Sequence, residues 1–425
     1  MFILQSLASH TLLNVLNGRN LSDQLHSTQA QHPELSGAER AALLDLCYGT
    51  LRHYGWLQAT LARLLKTPLA DRFVDTLLSV AIYQLVHTRA AQHAIVDHAV
   101  RAATQHENGK FKSLVNAVLR QFLRQRETLE AELARDTVAF WNHPDWWIAE
   151  LRSQYPKDWK AILKASNEHP PMSLRVNLRQ QTAADYLQQL EQAELAASLV
   201  PLPVRQGEAP LAIRLTKPVN VDKLPGFFAG TCSVQDIGAQ LAADYLDCQE
   251  GMRVLDACAA PGGKTCHLLE QYQLDLLALD HDAQRLRRVE QNLQRLQLHA
   301  KCQVADAADT KKWWDGKAFD RILADVPCSA SGVVRRHPDV KWNRRKTDIR
   351  QFAQQQAKLI DALWPTLANG GKMLYATCSI FRSENEQQIE QFLQRHRDAN
   401  LVWQHAVLPT SHHDGFFYAL LQKNG

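Results

Sequence analysis

Two cysteines stand where two apolar runs end. Asp325-Val-Pro-Cys-Ser329 closes the run from Phe319 to Ala324, and Met373-Leu-Tyr-Ala-Thr-Cys378 closes another, with 50 residues from Cys328 to Cys378. A thiolate is a nucleophile, and a second thiol beside it suggests an acid/base partner. Between them Phe352, Gln356, Leu359 and Leu363 recur at helical spacing, and Asn369-Gly-Gly371 is the expected helix stop. A strand-helix-strand crossover would set both sulfurs at one edge of a parallel sheet. Two buried core cysteines at strand ends are the competing reading, because free Cys is so commonly buried.

A cofactor is expected at the same edge. In Val254-Leu-Asp-Ala-Cys-Ala-Ala-Pro-Gly-Gly-Lys-Thr265 a short apolar run closes on Asp256, a turn of small residues follows, and Lys264 opens a helix. Glycines let backbone N–H groups approach a ligand, and a helix N-terminus favours negative charge. A phosphate-binding P-loop is excluded, since that pattern needs Gly where Cys258 stands, and the dinucleotide pattern G-x-G-x-x-G is absent. The next apolar run, Leu274 to Leu279, ends on Asp280, 24 residues beyond Asp256. That is where doubly wound folds hold a ribose hydroxyl pair. Further runs close on Asp306 and Asp325, so four acids fall at successive strand ends of an open α/β sheet.

The elements that must carry this chemistry fill only part of 425 residues, and two to three domains are expected. Residues 1–140 are dense in Leu and Ala and read as a helical bundle, with a capping box at Ser36-Gly-Ala-Glu39 and a break at Asn108-Gly109. After that break Lys110, Lys112, Arg120, Arg124 and Arg126 offer a basic helix face, the footprint that RNA phosphate would need. Residues 141–230 read as linker helices and a small β-α-β unit, with Gln206 to Pro218 left unplaced; residues 231–425 form the catalytic domain. Within the latter, Val333 to Arg350 carries seven basic and two acidic side chains around Trp342, a candidate stacking surface. Arg335, Arg336, Lys341 and Trp342 are the expected RNA contacts there. The eight cysteines form no C-x-x-C pair, so neither a zinc site nor a disulfide framework is expected. The net charge of +4 leaves nucleic-acid binding to local patches. No secretory leader or membrane span is read, and a soluble, cytoplasmic, monomeric protein is the default expectation.

With these residues in view, the chain resembles a known family. Cys258-Ala-Ala-Pro-Gly-Gly-Lys264, Asp325-Val-Pro-Cys-Ser329 and Thr377-Cys-Ser379 are similar to the motifs of the RsmB/NOP family of S-adenosylmethionine-dependent RNA cytosine-C5 methyltransferases. Ser331 to Trp342 and Asp414-Gly-Phe-Phe-Tyr-Ala419 resemble the members that act on bacterial 16S ribosomal RNA, and the first third, notably Gln92 to Arg120, resembles the RNA-binding factor NusB. Val326, Ala305 and Ala307 depart from the family pattern without removing a functional group. The resemblance implies an α + α/β chain, a NusB-like bundle followed by a class I Rossmann-like methyltransferase domain. It implies that Cys258, Ala259, Ala260, Pro261, Gly262, Gly263 and Lys264 wrap the methionine end of S-adenosylmethionine, that Asp280 holds the ribose, and that Asp306 accepts from the adenine amine. Asp325 borders the cofactor and faces the target base; Cys378 is the nucleophile, and Cys328 assists release. No metal is implied. Two rivals stay open: a DNA cytosine methyltransferase, which would attack with Cys328, and a non-catalytic NusB-like RNA-binding factor. An adenine or amino methyltransferase would show an Asn/Asp-Pro-Pro-Tyr motif, which is absent.

Overall fold

Leu-rich periodicity in the first third does give helices: Phe2–Leu16, Leu21–Gln31, Gly37–Arg52, Tyr54–Leu64, Arg72–His87, Gln92–Gln105 and Lys112–Leu133. The structure is a computed structural model describing residues 2–205 and 209–424. The part of Gln206 to Pro218 at 206–208 therefore lies outside the described residues. The Ser36 capping box forms with both of its hydrogen bonds, and Asn108 adopts a positive φ of 52° where Asn108-Gly109 interrupts the helices. The helices close on a core that includes Leu12, Leu43, Val80, Ile82, Ala99 and Phe122.

The chain falls into two compact units, the first comprising Met1–Glu168 and Val334–Arg345. The first unit thus runs past residue 140 and takes in helices Asp145–Gln154 and Trp159–Asn167. It also takes in much of the basic segment, which the sequence places with the catalytic residues. That segment is tied in by hydrogen bonds: Leu21 N–H donates to Asp339 Oδ2 at 3.3 Å, and Trp342 Nε1 to the Leu51 carbonyl at 2.8 Å.

The second unit is His169–Val333 with Lys346–Gly425 and holds two sheets. The smaller has strands β1 (Ser173–Val176), β2 (Ala197–Pro201), β3 (Leu211–Leu215) and β4 (Cys232–Val234) in the order β2-β3-β1-β4, all antiparallel. Helix Ala183–Gln192 lays Tyr186 and Leu190 against Leu174 and Ile213. The larger has β5 (Arg253–Asp256), β6 (Asp275–Asp280), β7 (Lys301–Val304), β8 (Phe319–Asp325), β9 (Leu367–Thr377), β10 (Ala399–Val407) and β11 (Phe416–Lys423) in the order β10-β11-β9-β8-β5-β6-β7. Strands β5 to β9 run parallel, and β10 and β11 pair antiparallel. This is a Rossmann-like sheet. Its chain order reverses at β5, between β6 and β8, and ligands bind at such switch points outside the carboxyl ends of the strands.

One expected stop is displaced. The helix Lys346–Leu363 ends before Pro365, whose missing N–H cannot continue it. Asn369-Gly-Gly371 instead lies inside β9. Pairing with β8 jumps there from Phe319/Leu367 to Arg321/Lys372, and Gly370 has a φ of 74°. The glycines serve a bulge rather than a cap.

Candidate active site

Carboxyl ends of adjacent strands deliver the predicted residues to one edge of the second unit. Cys328 follows β8 and Cys378 follows β9, and their sulfurs are 3.3 Å apart. That is hydrogen-bond contact between unjoined thiols. The hydrogen bond shared with Cys378, then burial, push the Cys328 thiol well above its ordinary range. Either sulfur can be the donor of that hydrogen bond.

A buried carboxylate holds the turns that carry both sulfurs. Glu384 is fully buried. It accepts from Ser329 N–H at 2.8 Å, Ser329 Oγ at 2.5 Å, Ser379 Oγ at 2.6 Å and Gln356 Nε2 at 3.0 Å. Ser329 and Ser379 are the residues that follow the two cysteines, and Ser331 Oγ lies 3.0 Å from each of their hydroxyls. Burial raises the Glu384 pKa, and the serine hydrogen bonds offset part of that rise. Behind it Tyr375 donates to the Glu384 carbonyl at 2.6 Å, and Thr377 Oγ1 donates to Asn385 Oδ1 at 2.7 Å. Gly332 donates to the Cys378 carbonyl at 2.8 Å, and a Cβ there would meet the Gly415 carbonyl at 2.2 Å. Sequence reasoning missed Glu384 altogether. Its signal was a hydroxyl residue directly after each cysteine, with no acid beside them to share.

The loop after β5 is folded tightly onto β6. Ala259 N–H donates to the Leu279 carbonyl at 2.8 Å, and Ala260 N–H donates to Asp280 Oδ2 at 3.2 Å. Asp280 is 3% exposed and also accepts from Asp282 N–H at 3.0 Å. The peptide before Pro261 is cis. Gly262 precedes the helix Gly263–Gln271 at a φ of 97°, with no side-chain cap. A Cβ there would approach Val289 Cα at 3.0 Å, so only glycine fits. Cys258 is half-buried, and burial, then the Asp325 charge, pushes its thiol up.

Lys264 turns back across the cleft and pairs with Asp325 at 2.5 Å. Burial opposes its charge, but the Asp325 carboxylate outweighs that and raises the lysine pKa. At the foot of the cleft Asp256 is 1% exposed. Its Oδ2 accepts from Thr265 Oγ1 at 2.6 Å, while Oδ1 has no hydrogen-bond partner among the described residues. Burial pushes its pKa up to about 7, against the Thr265 hydrogen bond. Asp306 lies beyond β7, exposed, its Oδ1 accepting from Ala308 N–H at 2.9 Å.

The expected RNA contacts divide. Lys110 and Arg120 are exposed, one just before and one on the helix Lys112–Leu133. Arg335 and Lys341 are 1% and 0% exposed, so the expectation that they meet RNA phosphate is corrected. Lys341 Nζ donates to the Arg52 carbonyl at 3.1 Å and to Asn167 Oδ1 at 2.8 Å. Burial, then the Arg52 charge, pushes its pKa well down. Trp342 is half-buried, edge-on to Tyr54 at 5.3 Å, and its indole N–H is spent on Leu51, so it is no open stacking platform. Arg336 is half-buried. A charge run marks phosphate contacts only where its charges reach water, and pattern alone does not say which do. Among the described residues no group of His, Cys, Asp and Glu could hold a metal ion, and no helix is long and apolar enough to cross a membrane.

Comparison with known proteins matches this architecture. The family model "16S rRNA methyltransferase RsmB/F" matches residues 243–422, the RsmF/B-like ferredoxin-like domain residues 143–222, and the NusB family residues 2–124. Ribosomal RNA small subunit methyltransferase B of Serratia proteamaculans is 44% identical over 433 residues, covering 99% of this chain and 98% of its own. The protein of that name from Yersinia enterocolitica is 44% identical over 432 residues, with the same coverage. Among solved structures, PH0851 superposes with a TM-score of 0.79 at 23% identity, covering 98% of this chain and 99% of its own. NSun6 from Pyrococcus horikoshii with SFG gives 0.57 at 21% identity over 66% of this chain and 98% of its own. Identity of 44% along nearly the whole length means that the chain belongs to the RsmB/F family of 16S rRNA methyltransferases.

Proposed function

We propose that this protein transfers a methyl group from S-adenosylmethionine to C5 of one cytosine in 16S ribosomal RNA, through a covalent bond between Cys378 and C6 of the base. The observation that carries the reading is the pair of sulfurs 3.3 Å apart at the same strand edge as the Lys264–Asp325 pair. The cleft fits the cofactor in three respects. The helix N-terminus at Gly263 has no side-chain cap and suits a carboxylate. Asp280 ends β6, where a ribose diol is held, and the unpartnered Asp256 Oδ1 is an acceptor for a cationic donor. When bound, S-adenosylmethionine supplies an electrophilic sulfonium methyl group.

The protein's own part is to make cytosine C5 reactive. Cys378, as thiolate, adds its electron pair to C6, and the C5=C6 π electrons become available at C5, the carbon that receives the methyl group. The two sulfurs are 3.3 Å apart, and with Cys328 as the donor its S–H steadies the attacking sulfur. Once the Cys378 electrons are committed to carbon, the hydrogen bond with that sulfur no longer raises the Cys328 thiol. Cys328 then loses its proton to solvent, accepts the C5 proton, and the C6–S bond breaks to return Cys378 as thiolate. Asp325 offers an acceptor to the exocyclic amine of the base, with Lys264 beside it balancing the charge. The base must leave its stack to meet Cys378 from its face, so single-stranded or loop RNA is the substrate form. Residues 1–140 act as the NusB-like RNA-binding part, with Lys110 and Arg120 among its phosphate contacts, and residues 231–425 as the catalytic part.

The test is product chemistry. Small-subunit RNA incubated with the protein and methyl-labelled S-adenosylmethionine, then digested to nucleosides, should give 5-methylcytidine at one position. Label on a ring or exocyclic nitrogen would overturn the mechanism.

A further inference from the structure

Two arginines on and just after β1 grip both ends of the helix that begins at the cofactor loop. Arg175 and Glu270 have side chains only 3% exposed, and they form a two-pronged pair: Nε to Oε2 at 2.8 Å and Nη2 to Oε1 at 2.7 Å. The third nitrogen, Nη1, reaches the carbonyl of Gly263 at 2.8 Å and Gln235 Oε1 at 2.5 Å. Gly263 is the first residue of its helix, and Glu270 lies two turns further along the same face. Arg179 closes the far end, donating to the carbonyls of Glu270 and Tyr272 at 3.1 Å each. Cations at a helix C-terminus are favoured there.

Stability alone does not account for this arrangement. A buried ion pair gains little over well-packed apolar side chains of the same size, because desolvation consumes most of the attraction. What an apolar pair cannot do is hold a backbone carbonyl at a fixed height. The carbonyl held here belongs to Gly263, the first residue of the helix whose uncapped N-terminus must face the ligand.

The geometry points to Arg175 as a positioning residue for the cofactor loop, which makes the small antiparallel sheet part of the cofactor cradle. This rests on the reading that the loop takes S-adenosylmethionine. Arg175 touches neither base nor methyl group; it acts through Gly263.

The test uses the full chain, with S-adenosylmethionine binding followed by calorimetry and RNA binding measured alongside. Removing one member of a buried pair risks unfolding, so two other variants are used. Arg175→Lys keeps a cation for Glu270 but has no planar fork to reach Gly263 as well. Arg175→Met with Glu270→Met replaces the whole pair by apolar bulk. Both should melt cooperatively and bind RNA as wild type does, while the cofactor Kd rises roughly tenfold or more, as small misplacements of binding groups cost. The cofactor KM should rise with it, and kcat at saturating cofactor should stay near wild type. Wild-type cofactor affinity in the folded variants, or equal losses for cofactor and RNA, would overturn the proposal. If the wild-type protein itself binds no cofactor, the reading of the loop fails first, and this proposal with it.

Discussion

Asp256 is the residue whose burden is easiest to measure. Held at about 7 by burial, it enters the folded state at a cost whenever it is charged. The sign follows from its raised pKa. Its favourable contribution is whole below about pH 4, the unfolded range of an aspartate, and is lost as the pH climbs through about 7. Thermal melts of the cofactor-free protein between pH 5 and pH 8 should therefore fall with pH more steeply in wild type than in Asp256→Asn, which keeps an acceptor for Thr265. Equal slopes would contradict the assignment. Other residue roles differ in how far the sequence discloses them. The strand-end acids and Cys378 announce themselves by following apolar runs. Glu384 does not, because it follows no strand and acts through Ser329 and Ser379, whose convergence exists only after β8 and β9 pair.

At the scale of elements, the helix Lys112–Leu133 illustrates what periodicity tells. Val115, Val118, Leu119 and Phe122 are buried on one face, and Arg120 and Arg124 are exposed on the other. The segment from Val333 to Arg350 carries more charge and by pattern is the stronger candidate for RNA contact. Yet Lys341 is consumed by backbone and Asn167 inside the first unit. Replacing Lys110 and Arg120 together by Ala should weaken RNA binding and reduce the slope of log affinity against log salt by about 1 to 2, since each phosphate contact contributes about 0.7 on single strands. Cofactor affinity should not move. Filter binding across a salt series reads this directly, and an unchanged slope would remove these two residues from the RNA surface. The sheets show the opposite limit of legibility. Strands β5, β6 and β8 end on their expected acids, because parallel buried strands read as continuous apolar runs, and the less buried β7 ends two residues before Asp306. β2 and β4 are not among the expected strands, and a β-α-β expectation became four antiparallel strands.

For the whole molecule, the order of parts along the chain was readable and their borders less so. Composition separates a helical first third from an α/β remainder, but the chain leaves the second unit after Val333 and rejoins it at Lys346. No local signal announces such an excursion; it is fixed by long-range bonds such as Trp342 to Leu51. The mechanism turns on one bond, from Cys378 to C6 of cytosine, with Cys328 needed to undo it. The most direct measurement is a denaturing gel of wild type, Cys328→Ala and Cys378→Ala after incubation with small-subunit RNA and S-adenosylmethionine. Cys328→Ala should accumulate protein covalently shifted by RNA, and Cys378→Ala should show none. A shift that appears in Cys378→Ala instead would reverse the roles of the two sulfurs and contradict the account.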